Sequence, residues 1–383
     1  MKKLLRITTV PISLKILLKD QLRFMNKHFE VVGVSSHLKE LEEVEKDEGI
    51  RVVALDMSRE ITPFKDLLSL FKMILLFLRE KPDIVHTHTP KAGIIGMLAS
   101  WICRVPHRLH TVAGLPVMEA EGKRKQLLFM VEKLTYFCAS RVYPNSYGLQ
   151  EYILQHSLVS GHKLKVIGHG SSNGIDTSYF SRSEVIMYDA KNIRTKYQLK
   201  NKFVFCFVGR VVRDKGVNEL LDAFDKLSLG FDNVRLFILG DFESDLDPIS
   251  LKSQKILQEN KNILYMGFQD DIRAYLAASD AFVLPTYREG FPNVVLQAAS
   301  MELPCIVSDI NGCNEIITHN KNGLIVPPKS KKSLFEAMKS FLQESELAKK
   351  LSLNSRNDII KKYDRKNFHN YLLQEYKEVL KNG

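Results

Sequence analysis

The chain has no apolar run long enough to cross a membrane, and no cysteine pattern suited to a metal site or a disulfide framework. Its longest greasy stretch, residues 67–78, contains Lys72, whereas a spanning helix takes about 20 apolar residues. A buried core helix is predicted there instead. The five cysteines, Cys103, Cys138, Cys206, Cys305 and Cys313, are odd in number and form no C-x-x-C pair, which points to reduced thiols in a reducing compartment. All but Cys313 sit in apolar runs, where a free thiol behaves as a small hydrophobe. Met1-Lys2-Lys3 starts like an export signal, but the apolar stretch 4–10 is short, carries Arg6 and is followed by no small-residue cleavage site. A first core strand is expected in its place. The expected protein is cytoplasmic, soluble or peripheral on a membrane.

What is present is an ordinary globular composition: 383 residues, 45% hydrophobic and 26% charged. That length predicts about two domains. Net charge is +11, which suits an anionic partner: nucleic acid, a phosphate-bearing small molecule or an acidic membrane surface. The excess is spread out, +7 over residues 1–180 and +4 over 181–383. That distribution disfavours a DNA-binding tail.

Short apolar runs alternate with amphipathic segments. In the first half, strands are predicted at 4–10, 29–34, 52–55, 84–86, 108–112, 141–144 and 165–167. Helices are predicted between them at 13–27, 36–49, 63–80, 92–103, 123–139 and 147–155. After a polar interval at 181–202 the pattern restarts, with strands at 203–208, 234–239, 263–266, 281–284, 304–307 and 324–326. Its helices fall at 216–227, 272–278, 293–300 and 331–343, and a long helical tail at 345–380 is broken at Tyr363-Asp364. Strand, helix, strand repeated in this way means βαβ units and parallel sheets. The expected fold is α/β, two Rossmann-like doubly wound domains facing across a cleft. Residues 1–178 form the N-terminal Rossmann-like domain and 179–360 the C-terminal one; 361–383 form a C-terminal helix packing back towards the first domain. Such sheets bind ligands at the carboxyl ends of their strands.

Two runs narrow the chemistry. In Phe207-Val208-Gly209-Arg210-Val211-Val212-Arg213-Asp214-Lys215-Gly216 a strand ends, a glycine permits close approach, and two cations flank a tight loop before a helix. Arg210 and Lys215 are thereby aimed at the strand's carboxyl end, where a diphosphate could meet a helix N-terminus. The second run is Leu284-Pro285-Thr286-Tyr287-Arg288-Glu289-Gly290-Phe291-Pro292-Asn293, continuing to Gln297. Pro292 suits the first helical position, and the amides of Gly290, Phe291 and Asn293 can then face an anion. A carboxylate at Glu289 beside such amides suits a ligand with both hydroxyls and phosphates.

These residues carry a family resemblance over nearly the whole chain. Gly209-Arg210 with Lys215-Gly216, and Glu289-Gly290-Phe291-Pro292-Asn293, resemble the donor-site motifs of family 4 glycosyltransferases, retaining enzymes of the GT-B fold. Asn173-Gly174-Ile175-Asp176 with Phe180 resembles their inter-domain hinge, and Gly267-Phe268 with Asp271-Ile272 their nucleobase loop. The resemblance implies transfer from a nucleotide-activated sugar, usually uridine diphosphate-linked, with no cofactor and no required metal. It assigns Glu289 to donor-sugar hydroxyls and Arg210 and Lys215 to the leaving diphosphate. Gly209, Gly290, Phe291, Pro292, Asn293 and Phe268 would line the donor site. Preorganised cations where charge develops can supply several kcal/mol to such a barrier.

The chain departs from the family in three places. Gln297 stands where the motif has its second glutamate, so weaker ribose anchoring is expected. Ala113 stands where many relatives carry a histidine; His110 lies three residues before it. The glycine-rich loop after the first strand is replaced by Val10-Pro11-Ile12-Ser13.

His86-Thr87-His88 places two histidines on one strand face, but no third ligand accompanies them, so no metal is expected. His88, Thr89 and Lys91, with His110, are candidates for the acceptor side, with a helix opening near Ala92-Gly93. Lys123-Arg124-Lys125 ahead of an apolar helix suggests docking on an anionic inner membrane face. A lipid-diphosphate-linked saccharide is the expected acceptor, as in capsule or O-antigen polysaccharide assembly. Two rivals share the architecture: a nucleotide-sugar 2-epimerase, and a non-catalytic nucleotide-sugar binder motivated by Gln297 and Ala113.

Overall fold

The computed structural model describes residues 1–37, 39–58, 62–118, 120–243 and 247–381. It divides into two compact units, Met1–Gly174 together with the chain from Arg365 on, and Ile175–Asp364.

In the first unit, β1 (Lys3–Ile7) leads through a π-helical turn, Ser13–Leu17, to α1 (Gln21–Asn26). There follow β2 (Glu30–Ser35), α2 (Lys39–Glu48), β3 (Arg51–Ala54), α3 (Pro63–Glu80), β4 (Ile84–Thr87) and α4 (Pro90–Ile102). The unit's first stretch of chain ends with β5 (His107–Val112), α5 (Gly122–Cys138), β6 (Arg141–Pro144) and α6 (Tyr147–Gln155). The sheet order is β3-β2-β1-β4-β5-β6, all parallel. Its two faces bury separate apolar clusters, one around Met73, Phe77 and Tyr136, the other around Leu22, Phe29 and Ile84. Burial on both faces explains why these strands read as continuous apolar runs.

The second unit opens with α7 (Glu184–Lys196) and continues β7 (Phe203–Val208), α8 (Val217–Gly230), β8 (Val234–Leu239), α9 (Leu251–Glu259) and β9 (Ile263–Gly267). Next come α10 (Arg273–Ala277), β10 (Ala281–Leu284), α11 (Asn293–Ser300), β11 (Cys305–Ser308), α12 (Cys313–Ile316), β12 (Gly323–Val326), α13 (Lys331–Gln343) and α14 (Ser345–Tyr363). Its parallel sheet runs β12-β11-β10-β7-β8-β9 over a single core. Asp364 breaks the helical tail, and α15 (Arg365–Lys381) belongs to the first unit. There Tyr376 bonds His86 Nδ1 at 2.6 Å and Glu375 accepts the Tyr143 hydroxyl at 3.0 Å.

Local chemistry sets the helix starts. α6, α7, α9 and α13 each follow a serine, Ser146, Ser183, Ser250 and Ser330, whose hydroxyl accepts the amide three residues on, satisfying a donor the helix cannot.

Four sequence expectations need correction. The helix expected over 13–27 is split, because Asp20 adopts a left-handed conformation (φ 64°). Glu48 holds it there by accepting the Asp20 and Arg23 amides at 2.6 and 2.8 Å. The strand expected at 165–167 shrinks to a bridge between Val142 and Leu164, since the chain turns away at Gly168. The polar interval 181–202 contains α7, which buries only Ile186 and Ala190 and so shows a weak apolar period. Finally, the stretch 67–78 is not a buried helix: Leu67, Leu68, Phe71, Leu75 and Leu78 are half or more exposed. Only one side of α3, with Met73 and Phe77, enters the core.

Candidate active site

The order of the second sheet reverses between β7 and β10, which are hydrogen-bonded neighbours. Loops leaving such a pair part to opposite sides and leave a crevice at the strand ends. Both informative sequence runs emerge there, the Gly209–Gly216 loop from β7 and the Pro285–Pro292 loop from β10. Gly216 makes their contact possible. Its φ is +70°, and a Cβ would stand 1.9 Å from the Pro285 carbonyl oxygen. Gly240, after β8, is pressed as closely on Gly209, where a Cβ would lie 2.0 Å from the carbonyl oxygen.

The two loops are tied by polar contacts. Tyr287 N donates to Asp214 O at 2.8 Å, and Arg288 Nε reaches Asp214 Oδ2 at 2.8 Å. Between them, Lys215 Nζ meets Glu289 Oε1 at 2.5 Å, with both side chains less than one-fifth exposed. Arg210 Nη1 contacts Glu243 Oε2 at 2.5 Å in a more open setting. Both candidate cations are therefore held by carboxylates, a short charge-assisted arrangement that an entering diphosphate would have to exchange for itself.

Glu289 is positioned from outside its own loop. Asn311 Nδ2 donates to the Glu289 carbonyl at 2.6 Å, and a Cβ on Gly312 would meet Gly290 O at 2.7 Å. Sequence reasoning missed Asn311. Its signal was available, an Asn-Gly pair just past β11, but nothing local connects that turn to β10. Glu243, the partner of Arg210, was missed too.

Pro292 corrects a detail. It sits before the helix as its cap, with ψ 101°, and α11 begins at Asn293. The expected amide cluster survives the shift: among the described residues, no protein acceptor takes the amides of Gly290, Phe291 or Asn293. The Phe291 ring turns inward, against Tyr363 at 5.5 Å, so only its backbone faces the loop. Gln297 is half-buried on α11.

Beside Arg210 lies a cavity of about 330 Å³ lined by Val208, Gly209, Arg210, Leu239, Gly240, Asp241, Glu243, Phe268, Gln269 and Ile272. It brings Gly209, Arg210 and Phe268 together. The Phe268 amide donates to Asp241 Oδ1 at 3.2 Å while its ring stays largely exposed at 66%, free to lie against a flat ligand. Among the described residues, no group of three or more His, Cys, Asp or Glu could hold a metal ion.

The first sheet has its own switch point between β1 and β4. Thr89 lies there, half-exposed, its hydroxyl 2.6 Å from that of Thr9. The helix after it opens at Pro90, not at 92–93, and the Ala92 amide already donates to Thr9 Oγ1 at 3.3 Å. Lys91 is paired with Asp66 at 2.5 Å. His88 is buried, accepting from Arg6 Nε at 3.0 Å, and burial pushes its pKa well below the usual imidazole range. His110 is also buried, with Nδ1 2.7 Å from Thr87 Oγ1, and burial lowers its pKa to about 4. Both imidazoles are therefore in the neutral form near pH 7, each with a single ring N–H.

Comparison with known proteins adds to this geometry. The family description "Glycosyl transferases group 1" matches residues 189–358, and "Glycosyl transferase 4-like domain" matches residues 25–170. The capsular polysaccharide biosynthesis glycosyltransferase CapM of Staphylococcus aureus is 34% identical over 99% of this chain and 98% of its own. An Escherichia coli enzyme, UDP-Gal:alpha-D-GlcNAc-diphosphoundecaprenol alpha-1,3-galactosyltransferase, is 31% identical over 82% of this chain and 80% of its own. Among solved structures, Anabaena HepE in complex with UDP and glucose superposes with a TM-score of 0.82 over 99% of this chain and 100% of its own, at 19% identity. That likeness is one of fold, the two-domain α/β GT-B fold.

Proposed function

The chain belongs to the group 1 glycosyl transferases, and from that premise we propose its donor, its acceptor and the residues that join them. The donor is a nucleoside diphosphate sugar, UDP-linked by preference. The acceptor is a saccharide on a lipid diphosphate, as in the named reaction of the Escherichia coli relative. The product enters surface polysaccharide assembly on the inner, anionic face of the membrane.

The observation that carries this reading is the convergence of Lys215, Glu289 and Arg210 on the ends of β7 and β10, beside the 330 Å³ cavity. The base would occupy the cavity against Phe268, placing the diphosphate near Arg210 and Lys215. Glu289 would then face the sugar hydroxyls. As the bond from the anomeric carbon to the diphosphate oxygen breaks, Lys215 and Arg210 meet the charge left on that oxygen. The acceptor hydroxyl forms the new bond on the same face and passes its proton to the departing phosphate, so configuration is retained. The two side-chain cations supply the positive charge in this scheme, which names no metal.

The test is incubation with a panel of nucleotide sugars and a lipid-diphosphate saccharide, with and without chelator, followed by NMR of the product. An axial linkage from an axial donor, formed equally well in chelator, is the expected result. Recovery of an epimerised donor, or donor binding with no nucleoside diphosphate released, would overturn it.

A further inference from the structure

The outer surface of α3 does not behave like the surface of a core helix. Phe64, Leu67, Leu68, Phe71, Leu75 and Leu78 recur at three- and four-residue spacing and are between half and nine-tenths exposed. They form one continuous stripe along the helix. The opposite side, with Met73 and Phe77, is locked into the sheet core, so α3 is apolar on both sides and cannot leave the fold. α4 packs between α3 and α5, and the outer side of α5 repeats the pattern with Leu127, Met130, Leu134 and Phe137. Trp101, at the end of α4, is 48% exposed and lies 6.2 Å from the Phe137 ring. A patch of this extent marks an interaction surface.

Charge selects the occupant. Lys65, Lys72 and Arg79 recur every seven residues beside the α3 stripe, and Lys123, Arg124 and Lys133 are exposed on α5. The carboxylates of the same two helices point elsewhere: Asp66 is paired with Lys91, Glu80 with Lys3 and Arg51, and Glu132 is buried. A second copy of this chain would bring like charges face to face. An anionic lipid surface meets both the cations and the apolar rows, and no helix among the described residues is long and apolar enough to cross it. We propose that the α3–α4–α5 face docks on an anionic phospholipid surface, with α3 lying in the interface plane and Trp101 at its depth. This moves the contact from the Lys123-Arg124-Lys125 segment alone to a three-helix face centred on α3. Each helix runs back from the carboxyl end of the strand before it, so Lys65 and Lys123 lie at the sheet edge where Thr89 sits. The proposal rests on the lipid-linked acceptor of the proposed function, which this face would bring to that edge.

Trp101 is the single tryptophan of the chain, so fluorescence excited at the red edge, where tyrosine does not absorb, reports this face alone. The full-length protein is mixed with vesicles of phosphatidylglycerol and phosphatidylcholine, or of phosphatidylcholine alone, with and without brominated acyl chains. The expected result is a blue shift and bromine quenching with the anionic vesicles only. Phe71→Glu with Leu75→Glu should cut the bound fraction tenfold or more with an unchanged melting temperature. Lys65→Gln, Lys72→Gln and Arg79→Gln should each weaken partitioning by about fivefold at low salt. Transfer to a detergent-dispersed acceptor should persist in all of these variants, which separates failure of docking from failure of the transferase assignment. Unshifted Trp101 emission with anionic vesicles would overturn the proposal. So would a blue shift on concentrating the protein without lipid, which would make the face an interface between copies.

Discussion

The Lys215 ammonium and the Glu289 carboxylate, 74 residues apart in the chain, meet at 2.5 Å where β7 and β10 end. The pair fixes both side chains at the mouth of the crevice between the two loops. Under the proposed function a diphosphate would compete for the lysine and sugar hydroxyls for the carboxylate, so binding would replace one ion pair with two contacts to the same ligand.

Removing either partner should therefore lower turnover more than it lowers donor affinity. Lys215→Ala and Glu289→Gln are each expected to reduce kcat by about 10²–10³, the range found when a preorganised charge-stabilising group is deleted. Steady-state kinetics on the purified variants, with melting temperatures as a control for folding, checks this. Wild-type turnover in Glu289→Gln would remove the carboxylate from the mechanism.

Gln297 gives a prediction in the opposite direction. A neutral amide stands on α11 where the resemblance has a carboxylate, and a carboxylate would accept hydroxyl donors with roughly twice the strength. Gln297→Glu should lower the donor KM about fivefold, equivalent to roughly 1 kcal/mol, with little change in kcat. Isothermal titration with the nucleoside diphosphate alone would show whether the gain lies at the ribose.

Asn311 touches the Glu289 backbone at 2.6 Å and not its carboxylate. Its expected role is that of a positioning residue. Asn311→Ala should cost about 1 kcal/mol of stability and reduce kcat tenfold, whereas Asn311→Asp, which cannot donate, should reproduce the kinetic defect. Normal kinetics in Asn311→Asp would show that the loop holds its shape unaided.

These residues also mark how far the sequence could be read. Strands and helices whose apolar residues all face inward, such as β7, β8, β10, α11 and α13, were legible to the residue. Their buried faces dictate the pattern, and serine caps or strand-end glycines mark their limits. Lys215 and Glu289 were legible because each lies in a loop whose type announces its place. Asn311 was not, because its role depends on β11 lying next to β10, a tertiary fact that no local spacing encodes. The stretch 67–78 was misread for a related reason. Ten apolar residues in a helical stretch of twelve do not say how many faces the fold will cover, and the sheet covers only one.

A last prediction concerns Glu132, buried on α5 away from the candidate site. Burial raises its pKa to about 7 against the opposing pull of the Tyr136 hydroxyl. The folded protein then keeps a proton that the unfolded chain has released between pH 4.5 and 7, so Glu132 makes stability fall as pH rises through that window. The full effect is roughly 3 kcal/mol at pH 8. His110 acts with the opposite sign. Its pKa of about 4 means the unfolded chain binds the extra proton between pH 4 and 6.5, and stability rises with pH there. The wild-type profile alone therefore mixes both. Urea titrations of Glu132→Gln and wild type at each half pH unit isolate the carboxyl, because the histidines cancel in the difference. The variant's advantage should grow from pH 5 to pH 7 and then level off. A difference that is flat across that range would mean that Glu132 titrates as an ordinary surface carboxylate.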